Sequence, residues 1–167
     1  MDIDKITKAN TNYIGKRVVY FEEIDSTQLE AKRNKQKYEN GTIIIADIQT
    51  AGKGTHGRIW HTKSNNIAMT IVLKPQANIK QLEGFTVSIA EHIKNVVKKL
   101  YNINLEVKLP NDLLLNNKKI CGILTEVITV QENIKELFIG IGFNVNEDEF
   151  SNDILNIATS LYNETKQ

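Results

Sequence analysis

The segment Gln49-Thr50-Ala51-Gly52-Lys53-Gly54-Thr55-His56-Gly57-Arg58-Ile59-Trp60 decides how the chain is read. It follows Thr42-Ile43-Ile44-Ile45-Ala46, a run with the length and β-branched content of a buried strand. Glycines at 52, 54 and 57 free the backbone to bend sharply and to approach a ligand closely. The segment also carries Lys53, His56 and Arg58, with His61 and Lys63 just beyond. Backbone N–H groups beside cationic side chains suit an anion, above all a phosphate. Trp60 closes the segment with a flat apolar face. The expectation is a flexible loop that folds over a phosphate-bearing ligand. It is not a Walker A loop, whose Gly-Lys-Ser/Thr ending is absent. Nor is it a dinucleotide fingerprint, whose glycine spacing is only partly met and whose downstream acid is missing. Taken alone, the segment leaves open a basic surface turn anchored by a tryptophan.

On the N-terminal side, residues 1–16 are polar and read as a short helix or a loosely held arm. Arg17 to Phe21 reads as a strand. Asp25-Ser26-Thr27 is a cluster of capping residues ahead of the helix-favouring Gln28-Leu29-Glu30-Ala31-Lys32-Arg33. The hydroxyls of Ser26 and Thr27 suit a cap or a small polar ligand. On the C-terminal side, Ile67 to Leu73 is a strongly hydrophobic strand, stopped by Lys74-Pro75. Apolar residues recur at helical spacing from Ile79 to Tyr101, with Gly84 near the start and the helix proper expected after it. His92, within that helix, reads as structural.

Leu105 to Asp112 alternates as a strand and ends at a proline turn. Leu113-Leu114-Leu115, the turn Asn116-Asn117-Lys118-Lys119 and Ile120 to Val127 form a hairpin. Leu137 to Asn146 is a further strand and Ile154 to Leu161 a short helix. There is no internal repeat or linker. The pattern predicts one α+β domain on a mostly antiparallel mixed sheet flanked by helices.

Composition bounds the rest. A length of 167 residues suits one domain with a real core. A formal net charge of +1 gives no global bias toward nucleic acid or anionic membrane, so any positive field is local. Cys121 is the only cysteine, which excludes an internal disulfide and favours a reducing compartment. No signal sequence opens the chain and no run approaches the roughly 20 apolar residues of a membrane span. A cytoplasmic protein, without membrane or DNA partner, is the expectation.

Four separated segments agree with one family. They are Asp25-Ser26-Thr27, then Gln49 through Trp60, then Lys108-Leu109-Pro110-Asn111-Asp112 with Lys119-Ile120-Cys121-Gly122-Ile123-Leu124-Thr125-Glu126, and Gly140-Ile141-Gly142-Phe143-Asn144-Val145-Asn146. Ala158-Thr159-Ser160-Leu161 adds a weaker fifth. In this order the chain resembles the catalytic domain of biotin protein ligases, also called biotin–[acetyl-CoA-carboxylase] ligases. The resemblance implies a class II aminoacyl-tRNA synthetase/biotin protein ligase-like fold. It also implies a minimal form, residues 1–167 as a single catalytic domain with no N-terminal winged helix and no C-terminal β-domain.

It further implies a two-step reaction. Biotin and ATP form biotinyl-5′-AMP, and the acyl group then passes to a lysine of a biotin carboxyl carrier protein such as an acetyl-CoA carboxylase subunit. A carboxylate attacking a phosphate brings negative charges together, so cations are needed there. By resemblance the catalytic residues are Lys108 and Arg58. Biotin binding falls to Ser26, Thr27, Gln28, Gln49, Gly52, Lys53, Gly54, Thr55, Lys108 and Gly122. Nucleotide binding falls to Arg58, Trp60, Asn111 and Asn144. Mg2+ is expected on the ATP phosphates with no dedicated protein ligand set, and the chain is expected to be a monomer or weak homodimer. The family usually places an arginine where this chain has Thr55, a tryptophan where it has Leu109, and Ser-Pro-x-Gly-Gly where it has His61 to Asn66. Two other readings share these motifs: a catalytically weakened biotin- or adenylate-binding protein, and a lipoate–protein ligase. The loop and Lys108-Leu109-Pro110-Asn111-Asp112 favour biotin.

Overall fold

The apolar runs fall into one seven-stranded sheet in the computed structural model, which describes residues 3–9, 11–63 and 65–166. Met1, Asp2, Asn10, Ser64 and Gln167, which belong to the arm, the loop and the C-terminus read above, lie outside the described residues. After a short α1 (Ile3–Thr7), β1 (Val18–Ile24) leads into α2 (Thr27–Arg33), and β2 (Thr42–Gln49) and β3 (Ile67–Leu73) flank the glycine segment. Then come α3 (Phe85–Tyr101), β4 (Glu106–Lys108), β5 (Asp112–Leu115), β6 (Lys118–Val130), β7 (Asn133–Phe143) and α4 (Leu161–Thr165). Spatial order is β1-β2-β3-β7-β6-β5-β4; β1 and β2 are parallel and every other pair is antiparallel. The α+β class and the mixed sheet are as expected.

The boundaries follow local chemistry. Asn116 and Asn117, at φ 51° and 64°, make the β5–β6 connection a two-residue turn that both asparagines tolerate. Gly84, at φ 71°, allows the bend that starts α3, and Asn102 in the left-handed region ends it. The single strand read over Leu105 to Asp112 is two strands, because the backbone turns at Leu109-Pro110-Asn111. The helix read over Ile154 to Leu161 is a correction. Residues 152–157 form turns, Ala158 bridges to Lys119, and the helix starts only at Leu161, where the Ser160 hydroxyl accepts from the Asn163 N–H. A C-terminal residue that joins the sheet cannot also continue a helix.

Strand register sets what each face carries. One row runs across the sheet as Ala46, Ala68, Gly142, Gly122, Asp112 and Lys108, from β2 to β4. The next row holds Ile44, Thr70, Gly140 and Leu124, and the one after it Val72, Phe138 and Glu126. This face receives α2, whose Ala31 packs with Tyr38, Ile44, Val72 and Phe138. The opposite face receives α3, through Ala90 and Val97 against Leu113, Ile123 and Ile139 among others.

The far end of α2 is pinned by a buried carboxylate. Glu30 accepts from the Tyr38 hydroxyl at 2.6 Å, from Arg33 at 2.8 Å and from Asn34 at 2.9 Å. Burial pushes the Glu30 carboxyl up, and the hydrogen bonds from Tyr38, Arg33 and Asn34 outweigh it, so the group is held below the ordinary value of 4.5. A depressed carboxyl contributes stability that is fully present above its unfolded value and is lost as pH falls through its folded one. Tyr38→Phe is therefore expected to cost about 1.5–3 kcal/mol at neutral pH, the scale of a hydrogen bond to a charged group. Urea unfolding at pH 7 and again below pH 4 should show the gap between wild type and variant shrinking as Glu30 protonates.

Candidate functional site

The polar start of α2 points into the sheet face beneath the glycine segment. Ser26, Thr27 and Gln28 are buried, with Ser26 capping α2 by accepting from the Leu29 N–H. The Thr27 N–H and hydroxyl both donate to Gln49 Oε1, at 2.8 and 3.1 Å. Gln49 Nε2 donates to the Thr62 hydroxyl at 3.0 Å. Gln28 Nε2 donates to Glu126 Oε2 at 2.9 Å. Capping and ligand-facing roles, open from sequence, are divided here: Ser26 caps, while Thr27, Gln28 and Gln49 form a hydrogen-bonded floor.

The glycine segment forms a narrow hairpin. Gln49 bridges to Thr62 and Lys53 to Ile59, while Trp60 N–H donates to Gly52 O at 2.9 Å and Gly54 N–H to Arg58 O at 2.8 Å. A Cβ at Gly52 would lie 2.3 Å from Trp60 O, so this position serves the close approach of the two arms. The hairpin sets Trp60 against the glycine row of the sheet. A Cβ on Gly142 would come within 2.2 Å of the indole Cε2, and one on Gly122 within 2.9 Å of Cζ3.

Of the two lysines in the matched segments, the cavity walls carry Lys119. Lys108 is exposed on the edge strand β4, lines neither cavity described below, and stands two strands beyond Gly122, roughly 10 Å at the usual strand spacing. Lys119 lines both cavities, and its Nζ is 5.4 Å from the Trp60 ring centroid. Strict alternation would put Lys119 on the face of Cys121, in the core. A bulge prevents this. Leu113 pairs with Cys121 and Leu114 with Lys119, so Ile120 is an extra residue on β6 and the facing of Lys119 reverses. Asp112 Oδ1 holds the ammonium at 2.7 Å in a charge–charge contact without an aligned hydrogen bond. Lys119 stood inside a matched motif, but period-2 reading could not give it a role.

Trp60 divides the site. The inner cavity, about 40 Å³, lies over Thr27, Gln28, Gln49 and Thr70 and under Trp60. That is space for a few waters, at roughly 10–15 Å³ each. Ser26, Lys53, Gly54, Thr55, Asn111 and Gly122 also line it. Asn111, expected to meet nucleotide, belongs to this inner side, its Nδ2 donating to Ile123 O at 3.0 Å. Gly52 lines neither cavity.

The outer cavity, about 420 Å³, has Trp60, Arg58 and Lys119 on one side and Asn144, Ile154 and Ala158 among its other walls. Arg58 is fastened to its own turn, donating to the Thr55 hydroxyl at 2.8 Å and to Thr55 O at 3.2 Å. Asn144 Nδ2 donates to Thr159 O at 3.0 Å. Lys63 pairs with the buried Glu147 at 2.9 Å, and that hydrogen bond raises the Lys63 ammonium above its ordinary value. A third cavity, about 560 Å³ between α3 and the opposite sheet face, is lined by apolar side chains. Its one imidazole, His92, has Nδ1 2.7 Å from Ser88 O, a structural contact.

Residues 18–144 match the model of a family described as the biotin/lipoate A/B protein ligase family. The chain is 36% identical over 155 residues to the bifunctional ligase/repressor BirA of Bacillus spizizenii, covering 90% of this chain and 48% of that protein. It is 33% identical over 124 residues to the biotin–[acetyl-CoA-carboxylase] ligase of Paracoccus denitrificans, covering 72% of this chain and 51% of that protein. A solved structure of the biotin protein ligase from Aquifex aeolicus in complex with biotin and ATP superposes with a TM-score of 0.79 at 30% identity, covering 91% of this chain and 62% of that one. The chain spans about half the length of these curated relatives. The fold is that of the biotin protein ligase catalytic domain, as the resemblance implied.

Because Trp60 is the only tryptophan, its emission reports the contact with the glycine row. Gly142→Ala is expected to push the indole off the sheet and shift the emission to the red, with far-UV circular dichroism unchanged. Identical emission in the variant would mean that the ring does not rest there.

Proposed function

The chain belongs to the biotin/lipoate A/B protein ligase family, and on that premise we propose that it is a biotin protein ligase. It joins biotin to ATP as biotinyl-5′-AMP and passes the biotinyl group to a lysine of a biotin carboxyl carrier protein. In the first step a biotin carboxylate oxygen bonds to the α-phosphorus, the bond to the β-phosphate oxygen breaks, and pyrophosphate leaves. In the second the lysine amine bonds to the acyl carbon, the acyl–oxygen bond breaks, AMP leaves, and the amine gives up its proton to water.

One observation carries the reading: the Lys119 ammonium stands where the inner and outer cavities meet, beside Trp60. A bicyclic head on the Thr27–Gln49 floor directs its carboxylate tail to that seam, and a nucleotide in the outer cavity brings its α-phosphate to the same place. Two anions approaching each other need a fixed cation between them, and a preorganised one acts most strongly in the transition state. Asp112 holds Lys119 there. Arg58, on the outer wall, is within the cavity that takes the triphosphate.

Among the described residues no cluster of three His, Cys, Asp or Glu is placed to hold a metal; magnesium is expected to travel on the phosphate oxygens as part of the substrate. An inner cavity of about 40 Å³ is too small for biotin, so binding is expected to lift Trp60 and the 49–62 hairpin. No described helix is long and apolar enough to cross a membrane, and we place the reaction in the cytoplasm.

Biotin-dependent exchange of labelled pyrophosphate into ATP tests the first step. Lys119→Ala is expected to slow exchange by about 10²–10³-fold, the scale seen when a preorganised charge-stabilising donor is removed, with a much smaller loss of biotin affinity. Lys108→Ala in the same assay decides between the two lysines: a large loss there with none at Lys119 returns the catalytic cation to the edge strand. Exchange driven by lipoate in place of biotin would shift the substrate within the family. Biotin binding without exchange would leave a binding protein.

A further inference from the structure

We propose that Glu164 is a positioning residue for the nucleotide side of the site: lining neither cavity, it fixes the 157–159 wall of the outer cavity and the Asn144 amide through Thr159. The proposal rests on the reading that the outer cavity takes ATP, and it adds which remote group sets that cavity's shape. The wall has little else to hold it. Residues 152–157 form turns, and Ile157, which lines the cavity, is 62% exposed, so burial of apolar surface does little to seat it. Backbone pairing reaches one residue of β6 only. Lys119 N–H donates to Ile157 O at 2.8 Å, and Thr159 N–H donates to Lys119 O at 2.9 Å.

Side chains supply the rest. Ser160 Oγ donates to Glu147 O, and the buried Thr159 hydroxyl donates to Glu164 Oε1 at 2.6 Å, a length typical of a hydroxyl on a carboxylate. The other carboxylate oxygen, Oε2, accepts from Asn116 Nδ2 in the turn that leads into β6. Glu164 thus ties the wall to the β5–β6 turn, with α4 as the arm that carries it. The hydrogen bonds from Thr159 and then Asn116 outweigh burial and hold its carboxyl below the ordinary 4.5, so at neutral pH both oxygens accept. Thr159 passes the constraint into the cavity. Its carbonyl accepts from Asn144 Nδ2 at 3.0 Å, which turns Asn144 Oδ1 to the other side. The Asn144 backbone is committed elsewhere, its N–H to Ile120 O and its carbonyl to Leu161 N–H, so the side chain takes its orientation from Thr159. Lys119 has independent support, from Leu114 across the β5–β6 ladder and from Asp112 at its ammonium. Loss of Glu164 therefore falls on nucleotide binding and spares the cation.

Pyrophosphate exchange tests this, with ATP varied at saturating biotin and biotin varied at saturating ATP. Glu164→Ala is expected to raise the KM for ATP at least about tenfold, the lower end for a hydrogen bond to a charged group. The KM for biotin should stay unchanged and kcat should change far less. A variant that is merely less stable has less active enzyme, which lowers kcat and moves neither KM. Thr159→Val, nearly isosteric and leaving Glu164 with Asn116, should raise the same KM, so the test stands if Glu164→Ala does not fold. The double variant should add nothing to the larger single effect, because both act through one hydrogen bond. An unchanged KM for ATP in a folded variant, or an equal rise in both KM values, overturns the proposal. A wild-type protein that supports no exchange overturns instead the reading beneath it.

Discussion

The constraint on which the site depends is an absence of side chains. Gly142 and Gly122 are cross-strand partners, with Ala68 next in the same row, and together they leave a bare strip of backbone in the middle of a seven-stranded sheet. An indole lies on that strip at distances that any Cβ on Gly142 would close to 2.2 Å. With Trp60 lowered onto the sheet, the hairpin from Gln49 to Thr62 becomes a wall with an inner and an outer side. The cation at the seam, the hydrogen-bonded floor below and the wider chamber above all take their places relative to that ring.

The floor shows how a polar cluster is made tolerable in a buried place. Ser26 and Thr70 are fully buried, and Thr27 and Gln28 nearly so. Buried polar groups cost free energy unless partnered. Here Ser26 accepts from the Leu29 N–H, the other three are partnered among themselves and with Gln49, and the cluster ends in the Lys32–Glu126 ion pair at the sheet's margin. α2 is thus fixed at both ends by hydrogen bonds, through Thr27 and Gln28 at one and Glu30 at the other, and its apolar middle rests on β2, β3 and β7.

Most strands were legible because long apolar runs such as Thr42–Ala46 and Ile67–Leu73 have few other fates. The asparagine turn at 116–117 and the bend at Gly84 were readable from residue type alone. The helix at 154–161 was not, because pairing of Ala158 with Lys119 is a long-range contact that no local pattern carries. The polar floor was readable as residue types at the head of α2 and at Gln49. Thr70 was hidden inside an apolar strand, and Glu126 at the end of another. Lys108 and Lys119 sit in adjacent matched segments and share the site face, and no local pattern shows the extra residue at Ile120 that gives Lys119 its facing.

The extra residue Ile120 answers to the core and not to the site. Ile120 and Cys121 are both fully buried, so the bulge is filled from the core side and cannot relax by exposing either one. A chain without Ile120 would keep Leu113 opposite Cys121 and Leu114 opposite Lys119, now in strict alternation, and the ammonium would stay on the site face. What it would lose is a large side chain packed at zero exposure. The bulge thus adds a filled position to one face of the sheet and leaves the charge on the other face where it was.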